Sequence, residues 1–524
     1  MLSLLSVLAI GLHSPSQVLA KTDTGNVADR PVLAEESSGF STMGKAGNGN
    51  EETPGAWYIG QTPENLQPDT PVLLFVPGLN SVAQVFWEDN DMYQTAYQAG
   101  YQTAFVQLHD AGGENADMWD NGSLLASKIQ EISNHFSGKD ITIVAHSKGG
   151  VDSQTALTYY GASDYVDNVI TLSSPHHGSQ LADLAYSSEA GWLADLIGMQ
   201  GEGTASMQMA YMENFRSMTD SNPDAYRNNY FTLGGTDWGS IFSSNWFGGV
   251  YLSGYGPNDG VVTAASSNLP GGFELAIGEW DHSTVRTGMT FSVFENYLAG
   301  DHLIDSDDFS IAGGHSEAIP PDYNQWVQGG PLANKEALMV EVEENVKKLT
   351  LNLLTAEPIS TFKITKSSGK KVQANVQQSR LDEGIFKGAH SYTMKIDKPE
   401  SGEWQLEMLS SKNDNAYLLV ADFKTNPYLQ TNVAQNFITQ DDLYHINMDA
   451  DLFDEDTLTA TYHVTETRNP QNEKQWTVKG KSNLSQKLDL KKSDTVYNVT
   501  VDIAGITKEG NPFKRTIVDS VYAK

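Results

Sequence analysis

Between about residues 57 and 300, short apolar runs alternate with stretches whose apolar residues recur at helical spacing. This alternation limits the fold more than any other feature of the chain. "PVLLFVPGLN" (71–80) is an unbroken apolar strand running into a Pro-Gly turn. "DMYQTAYQAG" suits a helix stopped by Gly100, and "YQTAFVQL" (101–108) suits the next strand. In "NGSLLASKIQEISNHFSGKD", Leu125, Ile129, Ile132 and Phe136 fall on one helical face, with Ser123 as the expected N-cap and Gly138 as the stop. "ITIVA" (141–145) and "VDNVITLSSP" are further strands, separated by the helical "GGVDSQTALTYYG". A strand with no polar face must be covered on both sides, and crossover helices provide that cover. The expected fold class is therefore α/β: a mostly parallel sheet with helices on both faces.

The stretch "ITIVAHSKGG" places a serine where such a strand turns at once into a helix. A sharp, crowded turn of this kind needs small neighbours, which is the mechanical role of the motif G-x-S-x-G. Here it reads Ala145-His146-Ser147-Lys148-Gly149, with alanine in the first small position and Gly150 following. A serine hydroxyl becomes a useful nucleophile when an imidazole takes its proton and a carboxylate orients that imidazole. On this kind of sheet the chain order is serine, acid, histidine. Asp259, in the turn-prone "GPNDGVV", and His282, in "GEWDHSTVRTG", fit that order. Asp281 adjoins His282, but neighbouring side chains diverge; Asp237 is the reserve acid. Developing negative charge needs two backbone N–H groups. Lys148, after the nucleophile, is one candidate, and Leu79, after Gly78 in the first strand's loop, is the other.

These segments resemble the α/β-hydrolase superfamily, and within it bacterial secreted lipases and esterases. The resemblance rests on "AHSKGG", "VPGLN", "SSPHHGS" (173–179), "NDGVV" (258–262) and "DHSTV" (281–285), and spans about residues 72 to 291. It implies Ser147 as nucleophile, Asp259 as acid, His282 as base, and Leu79 and Lys148 as N–H donors. Two departures stand out: Pro77 replaces the usual histidine before the loop glycine, and Lys148 replaces an apolar residue. Many relatives hold a structural calcium or zinc. No ligand set for a metal is evident in this sequence, and His176-His177 falls where relatives carry a Pro-His element of the fold. No cofactor is expected.

The ends of the chain read differently. "MLSLLSVLAIGL" is too short to span a bilayer and is followed by a small-residue pattern ending at Ala20, so residues 1–20 are expected to be a signal peptide and the protein secreted. Residues 21–56 read as a flexible leader or propeptide, 57–305 as the catalytic domain, and 306–334 as a linker. After that, alternation with a period of two in "ALMVEVE", "KKLTLNLL", "GEWQLEML" and "VYNVTVDIAG" indicates β-sandwich modules at 335–425 and 426–524, the second Ig-like. "KPESGEWQLEML" and "DIAGITKEGNPFKRT" resemble β-sandwich modules appended to secreted bacterial proteins. The formal charge of −33 speaks against nucleic acid as a partner. With no cysteine, disulfides and a thiolate nucleophile are excluded. The sequence leaves the oligomeric state open.

An insertion at about 179–230 carries the amphipathic "QLADLAYSSEAGWLADLIGMQ" and five of the 14 methionines. It reads either as a lid, with Trp192, Leu196 and Met199 lining an acyl site, or as an ordinary packed cap. The expected activity is carboxylic-ester hydrolysis on lipid-like esters through an acyl-enzyme. The alternatives are a polyester (polyhydroxyalkanoate) depolymerase with the β modules contacting a surface or polymer, a phospholipase or acyltransferase on the same triad, and a non-catalytic surface-binding protein.

Overall fold

In strand Val72–Val76, alternate side chains enter two different cores: Val72, Leu74 and Val76 one, Leu73 and Phe75 the other. All five are fully buried. At roughly 1.5–3 kcal/mol for each large apolar side chain buried, this strand alone commits the sheet to cover on both faces. The computed structural model describes residues 27–34, 50–300 except 68 and 242, and 320–524 except 367, 373–375, 383, 427–428, 432–435, 440, 449–451 and 482–483. The expected signal peptide, residues 21–26 and 35–49 of the expected leader, and residues 306–319 of the expected linker lie outside the described residues.

The first sheet comprises β1 (Val32–Leu33), β2 (Trp57–Ile59), β3 (Val72–Val76), β4 (Thr103–Val106), β5 (Ile141–His146), β6 (Val166–Leu172), β7 (Asn229–Gly235) and β8 (Phe273–Gly278). Its order is β1-β2-β4-β3-β5-β6-β7-β8, with β3 to β8 parallel and β1 and β2 antiparallel at one edge. The α-helices of five or more residues are α1 (Met92–Gln98), α2 (Met118–His135), α3 (Lys148–Tyr159), α4 (Gln180–Ala185), α5 (Gly191–Leu196), α6 (Glu202–Ser206), α7 (Met209–Thr219) and α8 (Asn245–Leu252) among the described residues. From β3 the chain moves to β4 on one side and then to β5 on the other. The loops after β3 and β5 therefore diverge and open a crevice at the carboxyl end of the sheet, where ligands of open α/β sheets bind.

Two expectations are corrected here. Helix α2 begins five residues before Ser123: Asp117 is its cap, with a side chain that accepts from the N–H groups of Trp119 and Asp120. A carboxylate there satisfies two orphan donors and also meets the helix dipole, whereas Ser123 lies inside the helix. Residues 32–33, expected to be flexible leader, pair with β2 and extend the sheet.

The first β module contains β9 (Gln325–Pro331), β10 (Lys335–Val342), β11 (Lys348–Thr355), β12 (Ile359–Thr365), β13 (Gln377–Arg380), β14 (His390–Asp397), β15 (Gly402–Ser410) and β16 (Ala416–Lys424). A three-stranded sheet, β10-β15-β12, faces a five-stranded one, β13-β14-β11-β16-β9, around Trp404, Leu406, Leu351 and Leu419. Strand β9 lies within the segment expected to be linker. It pairs along its length with β16, in the register Ala416↔Pro331 to Asp422↔Gln325, and forms the edge of the five-stranded sheet. The last module is built on Thr459–Glu466, Asn469–Lys479, Thr495–Ile506 and Pro512–Ala523, joined in one antiparallel ladder.

The cap at 179–230 is the seat of these modules. Leu184, Leu193 and Phe215 of the cap share one core with Val327, Leu418 and Val518. Among the described residues no helix is long and apolar enough to cross a membrane.

Candidate active site

Ser147 stands between β5 and α3 with φ 55° and ψ −136°. A non-glycine residue held in that region costs about 1–3 kcal/mol, so the surroundings must impose it. They do so by close approach. A Cβ on Gly78 would lie 2.6 Å from Ser147 Cβ, and one on Gly149 would lie 2.5 Å from the Pro77 carbonyl oxygen. Only glycine lets the β3 loop lie this near the corner.

Asp259 is fully buried in the loop that follows α8. Its Oδ1 accepts from the N–H groups of Val261 (2.9 Å) and Val262 (2.7 Å). Its Oδ2 accepts from His282 Nδ1 at 2.7 Å. The backbone of His282 is tied in as well: its N–H donates to the Asp259 carbonyl at 3.0 Å, and its own carbonyl accepts from His146 Nε2 at 2.8 Å. The His146 ring lies 4.6 Å from that of His282, and burial, with His282 beside it, holds His146 well below the usual histidine range. A neutral His146 with its proton on Nε2 therefore acts as a fixed donor to the backbone of the base.

Ser147, His282, Leu79 and Lys148 line one cavity of about 240 Å³. Lys148 is the first residue of α3, so its N–H has no acceptor within the helix and lies at the positive end of the helix dipole. The Leu79 loop is held rigid by its neighbour: Asn80, at φ 54°, donates its N–H to Asp110 Oδ1 at 2.8 Å. Asp110 Oδ2 accepts from Asn121 at 2.7 Å, and Asn121 also donates to Asp152 Oδ2 at 3.0 Å. Lys148 Nζ completes the chain with a 2.6 Å contact to Asp152 Oδ1. Burial raises both carboxyls, Asp152 to about 7, with Lys148 opposing the shift. This buried chain joins the donor loop to the first turn of α3, so both proposed N–H donors rest on one rigid support. The Lys148 side chain, which sequence reading left without a role, is the cation that makes two buried carboxylates tolerable.

The geometry can be set beside known proteins. A family model described as PGAP1-like alpha/beta domain matches residues 111–188. The crystal structure of the Bacillus licheniformis lipase BlEst2 in its propeptide form matches with 33% identity and a TM-score of 0.77. That match covers 90% of this chain and 98% of the Bacillus chain. The chain belongs to the lipase/esterase-like α/β-hydrolases. This hydrolase is also similar to Triacylglycerol lipase 2 of Saccharomyces cerevisiae, at 27% identity over 168 residues. That match takes in 31% of the hydrolase and spans about half the length of the yeast protein.

The lid assignment needs correction. Trp192 and Leu196 of the hydrolase are 62% and 48% exposed, and neither lines the cavity. Helix α5 turns its other face, Leu193 and Ala194, into the core shared with the modules. Met199 is buried and touches the donor loop, its sulfur 3.5 Å from Asn80 Nδ2, without lining the cavity. The apolar wall comes instead from Val82, Val85, Met207, Val261 and Val262, and from Ile385 of the first β module. The pair His176-His177 is packed, with His176 Nε2 3.2 Å from Thr171 Oγ1, and it belongs to no group of potential metal ligands among the described residues.

Proposed function

We propose that this protein is a secreted carboxylic-ester hydrolase in which Ser147 attacks the ester carbonyl, His282 carries the proton and Asp259 orients the imidazole. The observation that carries the reading is the buried 2.7 Å Asp259–His282 contact opening onto the same cavity as a serine held at positive φ. Attack forms a tetrahedral oxyanion beside the N–H groups of Leu79 and Lys148. His282 then passes its proton to the departing alcohol, leaving an acyl-enzyme on Ser147. Water repeats the sequence in reverse and frees the acid. The apolar cavity wall favours acyl chains, and the lipase name of the Bacillus relative supports lipid-like esters. Export rests on the apolar N-terminal run. The test is a fluorophosphonate probe together with p-nitrophenyl butyrate and palmitate. Both esters are turned over, and the phosphonyl adduct is found by mass spectrometry on the peptide holding Ser147. A protein inert toward both esters, or one labelled elsewhere, contradicts the reading.

The same cavity supports a second statement, about access. The turn between β13 and β14 brings Asp382, Gly384, Ile385 and Lys387 to its wall. It is anchored there by Phe386, whose ring meets Phe247 of α8 edge-on at 5.6 Å, and by the Asp382 N–H, which donates to Ser244 Oγ at 2.9 Å. Seated this way, the first β module narrows the route to Ser147. Ile385→Asp removes about 2 kcal/mol of apolar burial from this seat, which weakens the hold of the turn on the cavity wall by about 30-fold. Turnover of the palmitate ester rises severalfold, and more than that of the butyrate ester. Unchanged rates in a variant of native circular dichroism would show that the turn does not limit access.

A further inference from the structure

We propose that Glu189, His463 and Asp502 form a zinc site that ties the cap to the last β module. Glu189 lies between α4 and α5. His463 and Asp502 lie on adjacent antiparallel strands, Thr459–Glu466 and Thr495–Ile506. Their ligand-capable atoms all fall within 4.8 Å of one another. A tetrahedral zinc site with bonds of about 2.0–2.2 Å sets its ligand atoms about 3.4 Å apart, so closing on an ion asks only for small side-chain rotations.

Each ligand is oriented from outside the trio and keeps one atom for an ion. Glu189 Oε2 accepts from Gln328 Nε2 at 2.9 Å and from the Gly329 N–H at 2.8 Å, leaving Oε1. That loop can approach only because residue 329 is glycine: a Cβ there would lie 2.0 Å from the Glu189 carbonyl oxygen. Asp502 Oδ1 accepts from Thr516 Oγ1 at 2.8 Å, and its Oδ2 lies 4.0 Å from His463 Nε2. His463 Nδ1 donates to Glu473 Oε1 at 2.8 Å, which keeps the proton on Nδ1 and the lone pair on Nε2. The amide of Gln475 donates weakly to that lone pair at 3.4 Å, a contact an ion would displace. A carboxylate behind the far nitrogen of a histidine is the arrangement that fixes and strengthens metal-binding imidazoles. Three carboxylates, counting Glu473, surround one imidazole. Lys514, the nearby cation, is drawn 2.9 Å to Glu341. One imidazole with carboxylates suits Zn²⁺ better than the all-oxygen cations, and water would complete the four ligands.

The full-length chain, stripped with chelator and titrated with ZnCl₂ in a calorimeter, should bind one Zn²⁺ at this site with micromolar or tighter affinity and melt several degrees higher. Co²⁺ in its place should give visible d–d absorption. His463→Ala should lose the cobalt band and that binding event. Glu473→Gln keeps all three ligands and should weaken binding about 10- to 100-fold, which keeps the proposal testable if the alanine variant does not fold. No zinc binding by the wild type, or equal binding by wild type and both variants, would overturn the proposal. A melting shift with Ca²⁺ equal to that with Zn²⁺ would overturn the choice of metal.

Discussion

Alanine at position 147 should leave a folded protein whose kcat/KM for p-nitrophenyl butyrate is lower by about 10⁴- to 10⁶-fold, because the proposed triad acts as a unit and the remaining rate would come from binding and the N–H donors alone. The substitution is structurally mild. It removes one oxygen and keeps Cβ, the atom that Gly78 makes room for. The positive φ is equally strained for alanine, so the native and variant proteins share that cost. Melting temperature and circular dichroism should stay near those of the wild type while the phosphonyl adduct disappears. A variant that keeps more than a tenth of the activity would remove Ser147 from the chemistry. Activity on palmitate should fall by the same factor as activity on butyrate, since attack is common to both.

Legibility in the sequence followed the range of the physics involved. The corner at Ser147 is local: a buried strand, small neighbours and a helix within ten residues are all visible in the order of letters. Asp259 and His282 are far from Ser147 in the chain. A parallel sheet delivers successive loops to one end, and the structure accordingly brings His282 to the cavity of Ser147 and Asp259 to His282. Asp110, Asn121 and the Lys148 ammonium were not findable, because nothing in "LHDAGG" says that the acid will be buried beneath the donor loop. The lid residues failed for a different reason. The amphipathic pattern of 181–196 correctly separates an apolar face from a polar one, but it does not say what covers the apolar face. The structure puts the β modules there, leaving Trp192 outside. The same blindness hid Ile385 in the cavity wall and Glu189 beside His463, since each joins segments that only docking of the modules brings together.

Asn at position 259 should lower kcat by about 10⁴-fold with little change in KM, and the reason is set by two backbone donors. In the wild type the N–H groups of Val261 and Val262 both point at Asp259 Oδ1. An asparagine must place its carbonyl oxygen there, because turning its NH₂ toward two donors would bury three unsatisfied groups at once. The NH₂ is then presented to His282 Nδ1, where the carboxylate oxygen stood at 2.7 Å. Nδ1 must become the acceptor, so the ring proton moves to Nε2, the nitrogen that would take the proton from Ser147. The base is present, correctly placed and in the wrong tautomer. Glycine or alanine at 259 would leave the ring free to reorient and the Val261 and Val262 donors unpaired, with a loss of stability that asparagine avoids. Steady-state kinetics with p-nitrophenyl butyrate, paired with a melting curve, separates the cases: a large fall in kcat at unchanged stability is the tautomer effect. A fall of less than about tenfold would mean that Asp259 only supports the loop and that another group orients His282.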